Sequence, residues 1–170
     1  MSELKRPLFG ASWTDHLVEV FEQWKDEALS SPASYNFREA EAKLAWWTWQ
    51  VLTVKLAETS ASKADTNDLD CPAPHERPIL IQQQSTALDI VCRTLVGESG
   101  FKGIPTLKPW DHLPPEPWPH VSEMIDGVAY WLEQHEDLVK PDQLKRLKAA
   151  LEIASADRAA YKKAKRSKRR

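Results

Sequence analysis

Glycine is scarce in this chain, five residues in 170, and the scarcity bears on fold class. Few glycines leave few places for the positive-φ turns that close β-hairpins, so a hairpin-rich β architecture is disfavoured. Cysteine is rarer still. Cys71 and Cys92 are the whole complement and form no CxxC pair, so both are expected as reduced thiols inside the cell. No run approaches the roughly 18 apolar residues of a membrane span. The first residues, Met1 to Pro7, lack the apolar core of a secretory signal. These absences predict a soluble intracellular protein, cytoplasmic or, in a host with a nucleus, nuclear.

Motifs of catalysis are missing too. The sequence holds no GxGxxG, GxxxxGK[ST], GxSxG or HExxH, so no catalytic residue and no cofactor is assigned. Cys92 sits on the apolar face of a predicted helix, where a thiol is expected to be buried and inert. Cys71 with His75 and Cys92, or Asp111 with His112 and His120, supply atoms that metals accept, but neither set has the paired spacing of a zinc site. Asp65, Asp68 and Asp70 lack the ligand order of a calcium loop. No metal is expected.

Tryptophan and proline, by contrast, are abundant, at eight and twelve residues. Apolar spacing predicts an all-α protein of four to five helices spanning residues 1–161. The first covers about Trp13–Leu29, where Ser12 and Asp15 resemble a capping arrangement. The second runs from about Asn36 to Glu58 and carries two apolar stripes on nearly opposite faces. One is Phe37, Ala40, Leu44, Trp47, Val51 and Val54; the other is Ala42, Trp46, Trp49, Thr53 and Leu56. A helix apolar on two sides is central to its bundle or covers a partner with one face.

A loop over 59–77 leads to a third helix, about Pro78–Val96, with Gly97 as its stop. Its opening Ile79-Leu80-Ile81 also fits a short strand. Six prolines between 99 and 119 predict an extended strap that includes Trp110 and Trp118. A fourth helix spans about His120–Leu138. A fifth begins at Pro141, and its seam of Leu144, Leu147, Leu151, Ala154, Arg158 and Tyr161 runs into a basic tail.

Charge is divided unevenly. The formal net charge of −2 resolves into +7 over residues 162–170 and −9 over residues 1–161. Lys162, Lys163, Lys165, Arg166, Lys168, Arg169 and Arg170 are therefore the candidate contacts for nucleic acid or another polyanion, by sequence-blind neutralisation of phosphates. Lys145, Arg146, Lys148 and Arg158 are possible extensions. Trp46, Trp49, Trp110 and Trp118 are candidates for a face that meets a protein partner or a second copy; packing in the core is the other reading of Trp46 and Trp49, and anchoring of the strap that of Trp110 and Trp118. The sequence thus predicts a non-enzymatic binding protein with a basic tail. Two alternatives stay open: an interaction module whose tail only solubilises or targets it, and a small helical enzyme of unknown type.

Overall fold

The computed structural model describes residues 12, 14–15, 17–19, 22–23, 26, 37–61, 72–97 and 119–169. Among them the regular structure is entirely helical and no strand occurs, as the sequence predicts. The long elements are α1 (Phe37–Ala61), α2 (Arg77–Val96), α3 (Pro119–His135) and α4 (Pro141–Lys168). A single 3-10 turn, Glu136–Leu138, separates the last two. The chain forms two compact units, Met1–Leu88 and Asp89–Arg170, and the division falls within α2.

In the first unit the described residues between 14 and 26 are helical, in line with the first predicted helix. The Ser12 hydroxyl accepts the Asp15 backbone N–H at 3.0 Å, so Ser12 caps the start of that helix by satisfying an otherwise orphaned donor. Helix α1 largely buries one of its apolar faces and, Val51 apart, half-buries the described residues of the other. Ala42, Ala45, Trp49, Leu52, Thr53 and Leu56 are buried on one side and Val51 on the other, where Leu44, Trp47 and Val54 are half-buried. Leu17, Val51, Leu52, Leu56 and Leu80 form one cluster, with Trp47 packed against it. Trp49 is fully buried, and its ring stacks on Trp46 with centroids 5.5 Å apart.

Thr53, Gln84 and Glu76, buried polar residues of this unit, are paired within it. The Gln84 amide donates to the Thr53 hydroxyl at 2.9 Å, joining α1 to α2. Glu76 is buried just before α2 and accepts the Ala73 N–H at 2.9 Å. Helix α1 runs three residues past the predicted Glu58, to Ala61. In that extra stretch the Thr59 hydroxyl donates back to the Lys55 carbonyl at 2.9 Å and accepts from Arg77 at 2.9 Å.

Helix α2 is continuous through Ile79-Leu80-Ile81, so those residues form no strand. Leu80 points inward while Ile79 and Ile81 are exposed, a helical and not a two-residue alternation. The helix stops at Gly97, whose φ of 73° places it in the left-handed region. Its N–H reaches the Arg93 carbonyl at 2.8 Å, the αL termination that glycine permits at little cost.

The second unit holds the remainder of α2 with α3 and α4, the latter two packed together. Val121, Met124, Ile125, Val128 and Leu132 are the buried face of α3. Leu147, Ala150, Ala154 and Tyr161 are the buried seam of α4. Arg158 near the end of α4 bonds Ser122 near the start of α3, and Lys148 near the start of α4 meets Glu136 just past the end of α3 at 2.6 Å. The two helices are therefore antiparallel. Pro141 opens α4 at a position where its missing N–H costs nothing. The strap predicted over 99–119 lies outside the described residues except at Pro119, where α3 begins.

Replacing Trp49 with Ala should cost about 3–5 kcal/mol by cavity formation. Gly97→Ala should cost about 1–2 kcal/mol by forcing a Cβ into the left-handed region. Urea unfolding followed by circular dichroism checks both, and an unchanged midpoint for Trp49→Ala would contradict the burial described above.

Candidate polyanion-binding surface

The basic residues at the end of the chain continue α4 as regular helix. Helical geometry holds through Lys168, and Arg169 caps the end in the αR region with its N–H on the Arg166 carbonyl at 3.3 Å. Alanines at 149, 150, 154, 156, 159, 160 and 164 favour this extension, since alanine has the highest helix propensity. Lys165, Arg166 and Lys168 in the last turn also complement the negative end of the helix dipole.

Lys162, Lys163, Lys165, Arg166, Lys168 and Arg169 are all exposed. Arg170 lies outside the described residues. At 100° per residue, Lys162, Lys165, Arg166 and Arg169 fall within an arc of about 100°, and Lys163 and Lys168 lie about 60° beyond its two edges. Ala164 and Ser167 occupy the remaining side. The Ser167 hydroxyl turns back to the Lys163 carbonyl at 3.1 Å.

Two contacts anchor the base of this charged tip. The Arg158 guanidinium donates to the carbonyl and the hydroxyl of Ser122, each at 3.2 Å, and to the Asp126 carboxylate at 2.9 Å. That hydrogen bond holds the Asp126 carboxyl below the ordinary aspartate value; the positive charges of Arg158 and Lys162 act in the same direction, against a smaller opposing effect of burial. Tyr161, one turn further, is buried to 9% exposure, and the Lys165 ammonium stands 5.6 Å from its ring centroid. That placement suits a cation–π contact.

The possible extensions of the basic surface divide. Arg158 is consumed by Ser122 and Asp126, Arg146 pairs with Asp89, and Lys148 pairs with Glu136, whereas Lys145 is exposed. Of the tryptophan candidates, Trp49 is buried in the first unit and Trp46, half-buried, stacks on it. Trp110 and Trp118 lie outside the described residues. The role of Arg158 as a clasp is not visible in the sequence, where Arg158 falls on the seam of the last helix and counts among the possible extensions of the basic surface.

Burial pushes the Cys92 thiol up to about 11; nearby Arg146 opposes this and Asp89 adds to it. A thiol so raised is a poor nucleophile at neutral pH. His120 is buried and His75 exposed, while Cys71, Asp111 and His112 lie outside the described residues. Among the described residues no three His, Cys, Asp or Glu side chains gather as a metal site. None of their helices is long and apolar enough to cross a membrane. Compared with family models, curated proteins and solved structures, the chain matches none.

Because the Asp126 value is lowered on folding, the clasp adds stability above the ordinary aspartate value of 3.8 and loses it as pH falls through the lower folded value. Asp126→Asn should therefore lower stability by about 0.2–1 kcal/mol near neutral pH, the range for exposed pairs. The gap between variant and native chain should close in strong acid. Parallel urea titrations across that range measure it, and a gap independent of pH would remove the carboxylate from this role.

Proposed function

We propose that this chain is a non-enzymatic binding protein whose basic helix end holds nucleic acid, or a polyanion of similar charge density, while its acidic body meets a protein partner. The observation that carries the reading is six exposed cations, five on the last two turns of α4 and Arg169 at its cap. Four of them share one face, a row that can lie along a phosphate backbone and release its condensed counterions. The rest of the chain, at −9, is repelled by phosphate, so contact concentrates at the tip. In this reading the strap over 99–119 links α2 to α3, and Trp110 and Trp118 either anchor it or present it to the partner. The site of action is intracellular.

The test is fluorescence anisotropy with labelled oligonucleotides at several salt concentrations. The native chain is compared with a variant in which Lys162, Lys163, Lys165, Arg166 and Lys168 are all changed to Gln, which removes charge yet keeps good helix formers. Binding should have a Kd on the order of 10⁻⁴–10⁻⁶ M at physiological salt, as for sequence-blind contacts. With four phosphates neutralised, log K should fall against log salt with a slope of about −3 to −4. The variant should bind at least about tenfold more weakly, with a flatter slope. Equal affinity of the two proteins would reject the proposal and make the tail a solubilising or targeting segment.

A further inference from the structure

The shape of the charged tip says more than its charge. Resting on the polyanion reading above, we infer that the occupant is double-stranded DNA, engaged by the last two turns of α4 in the major groove.

Three observations carry this. First, the cations wrap the helix. Lys168 and Lys163 mark the two edges of an arc of about 220°, with Lys162, Lys165, Arg166 and Arg169 between them. A single strand presents one line of phosphates and needs one charged face. A helix seated in a groove has a phosphate backbone on each side, and Lys163 and Lys168 stand about 110° to either side of the centre of the arc, one toward each backbone. A helix with its side chains is about 10–12 Å across, and the major groove of B-form DNA is about 12 Å wide.

Second, the tip carries no stacking platform. Surfaces that hold single strands pair a basic track with aromatic rings on which bases stack. Residues 162–169 contain no aromatic side chain, and Tyr161 beside them is buried, with Lys165 near its ring. Unstacked bases would find nothing to rest on.

Third, the reach matches. Tyr161 is the last buried residue of α4, and Lys162 to Lys168 extend beyond it by about 10 Å. The major groove is about 8.5 Å deep. The tip is therefore long enough to reach the groove floor. The deep, narrow major groove of A-form RNA does not admit such a helix, so duplex RNA is the poorer ligand. Ala164 and Ser167 complete the circumference with small side chains that do not widen the helix.

The experiment measures the full chain against four probes of one sequence: duplex DNA, its single strand, duplex RNA, and duplex DNA with bulky substituents on cytosine C5, which project into the major groove. The expected result is duplex DNA bound at least about tenfold more tightly than each of the others. If the single strand or the duplex RNA binds as well as duplex DNA, or if the bulky groups have no effect, the groove inference fails while salt-sensitive polyanion binding survives. If none of the probes binds even at low salt, the inference and the proposed function fall together. Circular dichroism of the glutamine variant, which should keep its helix and lose the duplex preference, separates lost charge from lost structure.

Discussion

Arg158 sits where the helical body ends and the charged tip begins, and the direction of the tip depends on its three bonds. Two go to Ser122 and one to Asp126, all on α3, so the guanidinium spans about one turn of the neighbouring helix. A planar fork with five donors suits that task, and a lysine in its place could satisfy one acceptor well but not the set. Beyond it, Tyr161 is the one buried residue among the described residues of α4. The clasp therefore fixes the angle at which α4 leaves the body, and the cations inherit that angle.

Separation of charge along one chain has a physical logic. Acidic and basic residues mixed over a single surface would pair locally and leave little field at a distance. Here the pairs Arg146–Asp89, Lys148–Glu136 and Arg158–Asp126 use up cations within the second unit, and six exposed cations follow one another at the end of α4. A molecule charged in this way is oriented by a polyanion before contact, since one end is drawn in and the remainder pushed away.

Local chemistry made much of the fold legible in the sequence. Ser12 with Asp15, Pro141 and Gly97 each act through the backbone of their own turn, and each marks a helix end where its chemistry predicts one. Helix α1 showed its two apolar faces because both repeat at helical spacing. Other features were hidden because they depend on residues distant in the chain. Ile79-Leu80-Ile81 fits either periodicity over three residues, and only the longer α2 decides it. Leu52 lay at the flank of an apolar stripe and drew no attention, yet it is fully buried within the cluster. The last predicted turn of α3 tightens into a 3-10 turn at Glu136–Leu138, where the chain must reverse within a few residues. The basic tail was plain in composition, but its helical continuation and the clasp below it require the neighbouring α3.

The helical tip also carries a cost of its own. Lys162 and Arg166, Lys165 and Arg169, and the pairs three apart are like charges on adjacent turns, each opposing the helix by about 0.2–0.5 kcal/mol. Nearby anions relieve that repulsion. Occupancy and order of the tip are then thermodynamically linked: whatever neutralises these side chains also tightens the backbone that presents them. Part of any binding energy at this end is consequently spent on stiffening the helix, and the measured affinity reports the coil–helix equilibrium of two turns together with the strength of the contact.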